Sequence, residues 1–316
     1  QKLGLFCNVQ TNNVFESPDV ETIYEIPLVL HKQEFDSAII KKLSIEPNSQ
    51  DKNIEYLEDF VQKFKAPESQ VTIAICGKYN ELHDAYKSIL EALIHAATKN
   101  KIKANIKWID SEKLESNNNL NSLFSNVQGV LIPGGFGDRG IEGKILSSKY
   151  ARENKIPFFG ICLGMQCAVI DFARNVCNFK NANSTEFNVK TDYPVIDIMS
   201  DQIDIKDKGA TMRLGSYACQ ISKDSILYSS YNKESIQERH RHRYEFNNVY
   251  LKEMELNGLN VGGINKKLNL VEAIEIDGHP WFVGVQFHPE LKSRLMRAHP
   301  LFDSFIQAAI DYKNSN

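Results

Sequence analysis

A cysteine flanked by glycines is the clearest candidate for chemistry in this chain. The segment Phe158–Gln166 runs from a short apolar stretch through Gly-x-Cys162-x-Gly into a segment of helical length. This is the pattern of a nucleophile elbow, in which a sharp strand-to-helix turn exposes the central side chain. The N–H groups and the dipole of the following helix favour a thiolate and an oxyanion there. The alternative is a buried cysteine in an ordinary strand-to-helix turn.

A histidine and a glutamate two residues apart supply the groups that a cysteine nucleophile needs. His288-Pro289-Glu290 follows Trp281–Phe287, whose alternating apolar residues predict a strand. We expect an extended segment, in which Glu290 holds one imidazole nitrogen while the other faces a thiol. A solvated surface loop is the alternative. Together with the elbow, the segment predicts Cys162 as nucleophile, His288 as base and Glu290 as the group that orients the base.

A glycine-rich segment follows the apolar run 129–132 and reads Pro133-Gly134-Gly135-Phe136-Gly137. Its glycines allow the main chain to approach a ligand closely and to present an N–H group to an oxyanion. With the N–H group of Leu163 it would form a two-donor oxyanion hole, and a plain glycine-rich turn is the alternative. The segment has the spacing of neither common type of phosphate-binding loop.

Two charged segments carry weaker signals. Arg239-His240-Arg241-His242-Arg243 alternates in a β-type context, so the arginines face one way and the histidines the other. We interpret most of it as a solvated strand with one arginine free to fork onto a carboxylate ligand, rather than as a nucleic-acid patch. Glu186 is a lone carboxylate in a polar segment, and the sequence alone favours a surface position for it.

Size and composition are ordinary for a soluble protein of about two domains. The 316 residues carry a formal net charge of −3, which gives no general attraction to nucleic acid or membrane surfaces. No apolar run approaches the length of about 18 residues that spans a bilayer, and the N-terminus lacks a signal-peptide pattern. The six cysteines have no metal-binding spacing, which suits free thiols in a reducing compartment. We therefore expect a cytoplasmic protein with no metal site, no nucleic acid and no membrane partner.

The sequence divides into three regions. Residues 1–45 combine a short apolar strand at 2–7 with a helix at 33–43, and this is too little apolar material for a separate domain. Because the chain opens without Met, we interpret them as the tail of a larger domain. Residues 46–67 are a linker that contains an amphipathic helix at 53–65. Residues 68–316 form the main domain.

Strands and helices alternate in the first part of the main domain. The predicted elements are strands at 71–76, 104–109, 129–132 and 157–161 and helices at 82–99, 141–153 and 163–174. They predict an α/β fold with a doubly wound, mostly parallel sheet and flanking helices. Further short strands are predicted at 193–199, 211–217, 239–246, 271–276 and 281–287, before a last helix at 301–312. These later strands either extend the sheet or form a small antiparallel ribbon.

Several segments together resemble one family. Gly-x-Cys162-x-Gly and His288-Pro-Glu are typical of class I glutamine amidotransferases, whereas the full segment Gly-Ile-Cys162-Leu-Gly-Met-Gln is typical of the CTP synthases. Asn183–Phe187 and Glu238–Tyr244 narrow the resemblance to the CTP synthases. The resemblance extends over essentially the whole chain, and residues 1–45 resemble the end of the amidoligase domain in that family.

The resemblance implies a role for each site residue. Cys162 would attack the side-chain amide of glutamine, with His288 as base and acid and Glu290 as orienter, and water would hydrolyse the thioester. The residues implied to hold glutamine are Gly135, Leu163, Gly164, Met165, Gln166, Glu186 at its α-amino group and Arg243 at its α-carboxylate.

The resemblance also implies partners. In this family ammonia passes to the amidoligase domain, where ATP and Mg²⁺ activate UTP for conversion to CTP; GTP activates the glutaminase, and homotetramers are the working form. The glutaminase part itself is expected to bind no cofactor. The residues that align with nucleotide contacts are Lys2, Pro18, Asp19 and Val20.

The family's phosphate-binding loop and metal-binding carboxylates would lie upstream of Gln1, so we expect this chain to hydrolyse glutamine but not to form CTP. Two alternatives remain open. One is a stand-alone glutaminase or γ-glutamyl hydrolase, and the other is a catalytically silent module that binds a partner or forms filaments.

Overall fold

The computed structural model describes residues 1–46, 53–78, 83–115, 119–198 and 212–316. The chain divides into two units, Gln1–Pro67 and Glu68–Asn316. Most of the polar linker predicted at 46–51 lies outside the described residues, as does the first residue of the strand predicted at 211–217.

The first unit is helical. Its helices are α1 (Lys2–Phe6), α2 (Ile26–Lys32), α3 (Phe35–Leu43) and α4 (Asn53–Lys65). The helix predicted at 53–65 is confirmed, and Phe60 on its buried face packs edge-on against Tyr24, with ring centroids 4.9 Å apart. Lys65 in its last turn pairs with Glu25 at 2.6 Å. An apolar contact and an ion pair thus hold α4 against the turn that precedes α2.

The opening segment is a helix, so the strand predicted at 2–7 is wrong. The N–H group of Cys7 donates to the carbonyl of Leu3 at 2.9 Å, and that of Val9 donates to Gly4 at 2.9 Å. A strand needs a neighbouring strand for its main-chain groups, and the described residues of this unit contain none. Hydrogen bonds within the segment therefore satisfy these groups instead.

The second unit is a sheet flanked by helices. Its strands are β1 (Ser69–Gly77), β2 (Ile102–Asp110), β3 (Gly129–Ile132), β4 (Phe158–Ile161), β5 (Asn183–Ser184), β6 (Pro194–Ile198), β7 (Arg213–Ile221), β8 (Ser235–His242), β9 (Tyr244–Phe246), β10 (Leu259–Asn265), β11 (Leu270–Ile276) and β12 (Phe282–Val285). Its helices are α5 (Lys87–Lys99), α6 (Ser111–Leu114), α7 (Leu120–Leu123), α8 (Ile141–Glu153), α9 (Leu163–Asn175), α10 (Ile226–Tyr231), α11 (Leu251–Leu256) and α12 (Pro300–Ser315). Strands β5 and β10 were not predicted.

The central sheet has the order β2-β1-β3-β4-β12-β11-β10-β7-β8. The strands from β2 to β12 in this order pair in parallel, and those from β12 to β8 pair antiparallel. The predicted α/β fold is confirmed, and the antiparallel strands extend its parallel sheet. A second sheet has the order β5-β6-β9. The strand predicted at 239–246 is divided between the two sheets. Most of the later strands extend the central sheet, and the small second sheet is mixed rather than an antiparallel ribbon, because β5 and β6 pair in parallel and β6 and β9 antiparallel.

Strands β3, β4 and β12 are buried along their whole length because helices cover both faces of the sheet. On one face Phe158 stacks on Phe282, with ring centroids 4.2 Å apart. On the other face Phe159 packs edge-on against Phe302 of α12, at 5.2 Å. This packing fixes the three strands that lead into the site.

Candidate active site

Three neighbouring parallel strands deliver the candidate residues to one place. Ile161 at the end of β4 pairs with Val285 at the end of β12. Gly160 pairs with Ile132 at the end of β3. The segments that follow these strands therefore emerge side by side at the carboxyl edge of the sheet, where α/β folds bind ligands. This register brings the glycine-rich segment, the cysteine and the histidine together.

Cys162 occupies a strained turn between β4 and α9. Its φ of 51° and ψ of −102° lie outside the regions that an L-residue ordinarily adopts. A Cβ atom on Gly160 would lie 2.7 Å from the carbonyl carbon of Gly164. A Cβ atom on Gly164 would collide with the carbonyl oxygen of Ile132. The spacing Gly-x-Cys-x-Gly is therefore required for the chain to turn in this space.

The turn opens into a cavity of about 600 Å³. Cys162 lines this cavity but is only 4% exposed, so the thiol is enclosed rather than exposed as the elbow pattern predicted. The other predicted residues that line the cavity are Gly135, Gln166, Glu186, Arg243, His288 and Glu290. Leu163, Gly164 and Met165 are buried in the first turn of α9 and are not among the lining residues.

His288 and Glu290 form a close pair. Nδ1 of His288 lies 2.8 Å from Oε1 of Glu290, and the main-chain N–H of His288 donates to the carbonyl of Arg239 at 2.7 Å. The segment is not extended as predicted, because Pro289–Leu291 forms a 3₁₀ turn. Proline suits the first position of such a turn, since its φ is already set and it has no N–H to satisfy. The turn brings Glu290 back onto the imidazole ring.

Glycine is required between the imidazole and the cysteine. A Cβ atom on Gly134 would lie 2.8 Å from Cε1 of His288 and 3.5 Å from Cβ of Cys162. Because Nδ1 is occupied by Glu290, Nε2 of His288 is the nitrogen left for the thiol. Burial opposes charge on His288, but Cys162 and then Glu290 outweigh it and raise the pKa of His288 to about 11. The arrangement favours an imidazolium facing the sulfur.

Two side chains hold the glycine-rich segment in place. Glu186 accepts the main-chain N–H of Gly137 at 3.1 Å, and Lys78 donates to the carbonyl of Phe136 at 2.5 Å. Glu186 thus lines the cavity and is half-buried, whereas the sequence alone favoured a surface position. Burial raises the pKa of Glu186, although the Gly137 N–H and nearby cations work against that rise.

The segment from 235 to 243 forms another wall of the site. The predicted alternation is confirmed, but only the arginine face is solvated, because His240 and His242 are buried. Burial, followed by the charge of Arg213, lowers the pKa of His240 to about 2 and that of His242 to about 3, so both rings are neutral. Arg243 follows β8 and lines the cavity.

Sequence reasoning did not single out several residues of the site. Tyr86, Met212 and His242 line the cavity, and Gly134 separates the cysteine from the imidazole. Gly134 and His242 belong to segments that had been noted, but the spacing alone does not distinguish Gly134 from Gly135. Arg213, buried behind His240, pairs with Glu245 at 3.2 Å and with Glu272 at 2.5 Å.

Known proteins share this arrangement of segments. Residues 81–308 match the family described as glutamine amidotransferase class-I, and residues 1–45 match the CTP synthase N-terminus. Among solved structures, the glutaminase domain of Trypanosoma brucei CTPS with bound acivicin is 38% identical, with a TM-score of 0.72 over 76% of this chain and 94% of that chain. The chain belongs to the CTP synthase family.

The chain spans only part of the length of the curated relatives that it matches. It is 53% identical over 314 residues to the CTP synthase of Clostridium kluyveri and 54% identical over 312 residues to that of Clostridium acetobutylicum. Both matches cover 99% of this chain but only 58% of the relative. The family resemblance drawn from the sequence is thus confirmed, for a chain that spans somewhat more than half the length of these CTP synthases.

The residues aligned with nucleotide contacts lie in the first unit. Lys2, Pro18 and Asp19 are exposed and Val20 is half-buried, and their nucleotide-binding role stays a prediction. Within the described ranges, no group of three His, Cys, Asp or Glu side chains could hold a metal ion. No helix in the same ranges is long and apolar enough to cross a membrane.

Proposed function

We propose that this chain hydrolyses the side-chain amide of glutamine, with Cys162 as nucleophile, His288 as base and acid and Glu290 as orienter. The observation that carries the proposal is the enclosed cysteine beside a His–Glu pair at 2.8 Å, in a cavity that is also lined by the carboxylate of Glu186 and the guanidinium groups of Arg241 and Arg243. These are the groups needed to cleave an amide and to recognise a free amino acid.

The first half of the reaction forms a thioester. The sulfur of Cys162 attacks the δ-carbon of glutamine, and the oxyanion is met by the N–H groups of Gly135 and Leu163. His288 gives its proton to the amide nitrogen as the carbon–nitrogen bond breaks, and ammonia leaves. Helix α9 begins at Leu163, so its dipole also favours the negative charge.

The second half regenerates the enzyme. His288, now neutral, takes a proton from water, and the hydroxyl oxygen attacks the thioester carbon. The carbon–sulfur bond breaks, glutamate leaves, and the sulfur again faces an imidazolium. Glu290 holds Nδ1 throughout, so that Nε2 performs both proton transfers.

The charged lining residues account for the amino-acid end of the substrate. We assign Glu186 to the α-ammonium group and Arg243 to the α-carboxylate, as the family resemblance implies, because a carboxylate pairs with an ammonium group and a guanidinium forks onto a carboxylate. Gln166 lines the same cavity and can contact the substrate through its side chain. Leu163, Gly164 and Met165 would act through the main chain of the first turn of α9.

In the longer protein, we propose, the ammonia converts UTP to CTP with ATP and Mg²⁺, in a cytoplasmic homotetramer activated by GTP. The similarity to full-length CTP synthases supports this. The described residues offer no cluster for Mg²⁺, and the 316 residues contain no Gly-x-x-x-x-Gly-Lys-Ser/Thr loop. This polypeptide by itself is therefore proposed to release ammonia without making CTP.

The two rival functions have less support. The match of residues 1–45 to the CTP synthase N-terminus disfavours a stand-alone glutaminase or γ-glutamyl hydrolase. The His–Glu pair beside the cysteine disfavours a silent binding or filament-forming module.

Treatment with acivicin tests the proposal directly. We expect one adduct, on Cys162, together with glutamate release from glutamine that Cys162→Ser abolishes. Cys7 is exposed and serves as an internal control that should stay unmodified. An unmodified Cys162 with no glutamate release would favour the silent module. CTP formation by these 316 residues would overturn the restriction to ammonia release.

A further inference from the structure

Gln286 contacts the reacting sulfur without lining the cavity. Its Nε2 lies 3.6 Å from Sγ of Cys162, and its side chain is fully buried. It follows β12 directly, and its main-chain N–H donates to the carbonyl of Glu272 at 2.9 Å. Because Gln286 is not among the cavity-lining residues, a role in binding the substrate does not explain its position.

The orientation of the Gln286 amide is fixed by a second glutamine. Nε2 of Gln166 donates to the main-chain carbonyl of Tyr244 at 3.0 Å, and a carbonyl can only accept. The same Nε2 faces Oε1 of Gln286 at 3.2 Å. The amide oxygen of Gln286 is therefore used by Gln166, and its NH₂ group is directed at the sulfur.

A donor in this position acts on the charge state of the sulfur. An N–H group stabilises a thiolate more than a thiol, since hydrogen bonds to charged acceptors are the stronger ones. The NH₂ group cannot accept a hydrogen bond, so the thiol proton cannot point towards it. The proton is therefore directed to the side of the sulfur that faces His288. Both effects favour transfer of the proton to the imidazole.

We infer that Gln286 is a further functional residue of this site, which donates to the sulfur of Cys162 and holds it as a nucleophile, with Gln166 fixing the direction of the donor. The inference rests on the proposed glutamine hydrolysis and deepens it. It gives Gln166 a second role, in orienting Gln286, besides its place in the cavity wall.

Alkylation by iodoacetamide, followed by peptide mass spectrometry over a range of pH, tests the inference. In Gln286→Met, which keeps the volume but removes the donor, we expect the midpoint of the Cys162 profile to rise by about one pH unit. In Gln166→Met we expect a smaller rise. For glutamine hydrolysis by Gln286→Met, we expect kcat to fall about tenfold while KM changes little, as for the loss of one hydrogen bond to a charged group.

Two controls accompany the variants. Cys7 is exposed, and its profile should be the same in every protein. Gln237 lies on the exposed face of β8, so Gln237→Met makes the same chemical change away from the sulfur.

An unshifted Cys162 profile in folded Gln286→Met would overturn the inference, even if kcat fell, because a structural defect alone would give that result. If Gln286→Met does not fold, the Gln166→Met profile decides in the same way. A shifted profile in a protein that does not hydrolyse glutamine would instead refute the proposed function and leave the contact to the sulfur standing.

Discussion

The carboxylate of Glu186 accepts the main-chain N–H of Gly137 at 3.1 Å. One side chain therefore both shapes the glycine-rich segment and presents charge to the cavity. In Glu186→Gln the amide oxygen can still accept from Gly137, but the charge that we propose to meet the substrate ammonium is lost. We expect KM for glutamine to rise about tenfold or more with a smaller change in kcat, measured by glutamate release. Glu255→Gln, on an exposed face of α11, should leave both constants unchanged, and an equal effect in both variants would contradict the role of Glu186.

Alanine substitution at two glycines of the site should have different effects: Gly134→Ala should reduce activity, and Gly160→Ala should reduce stability. In Gly134→Ala the new methyl group meets a ring atom of His288 at 2.8 Å, so the base is displaced while the fold is kept. We expect kcat to fall about 100-fold or more, the scale of losing general acid–base catalysis, with little change in thermal unfolding.

In Gly160→Ala the methyl group instead meets the main chain of Gly164 at 2.7 Å. Because a backbone contact cannot move aside, we expect a clear loss of stability, of about 1–3 kcal/mol. Thermal unfolding followed by fluorescence measures both variants, since Trp108 and Trp281 lie in the second unit. A stable, active Gly134→Ala enzyme would contradict the close approach of the imidazole.

Acid should destabilise the second unit through its buried histidines. The pKa values of His240 and His242, about 2 and about 3, lie below the ordinary value of 6.5. Between pH 6.5 and these values the unfolded chain binds protons that the folded chain does not, so stability is lost as the pH falls through this window. Each histidine adds at most about 1.4 kcal/mol per pH unit to the slope of the free energy of unfolding against pH.

Urea unfolding followed by tryptophan fluorescence measures that slope. We expect His242→Gln to reduce it by an amount that approaches one proton as the pH falls from 7 to 5. The same slope in the wild type and in His242→Gln would show that His242 titrates normally in the folded protein.

Arg213 should be needed for the stability of the second unit. It is 3% exposed and lies between two buried carboxylates, Glu245 and Glu272. Arg213→Met would leave both carboxylates without their counter-ion, at a cost of about 3–5 kcal/mol. Burial already raises the pKa of Glu272, so protonation of this carboxyl group should relieve part of the cost. The difference in free energy of unfolding between Arg213→Met and the wild type should therefore become smaller at lower pH. Arg139→Met, on an exposed pair with Glu112, should cost little.

The parallel half of the sheet and the cysteine turn could be predicted because their signals are local. The strands around Ile132 and Ile161 are continuous apolar runs, and the turn at Cys162 needs small residues at fixed positions on either side. The same holds for α4, whose apolar stripe repeats at helical spacing. In each case a few residues that are neighbours in the sequence determine the local structure.

The remaining features depend on pairing between distant segments. His240 is buried only because β8 pairs with β7, which places it near Glu272 of β11. Likewise, Gly134 is critical only because β12 delivers His288 beside it. No local pattern records these neighbours, and for the same reason the sequence did not reveal the contact of Gln286 with the sulfur.

The small second sheet has a consequence for how this site can change. The groups proposed to break the amide bond, Cys162 and His288, follow strands of the central sheet, whereas Glu186 follows β5 of the small sheet and Arg243 lies between β8 of the central sheet and β9 of the small one. The proposed contacts to the amino-acid end of the substrate therefore depend in part on the small sheet. If the proposed roles hold, substitutions in the small sheet would change which amino acid is bound while Cys162 and His288 stay in place.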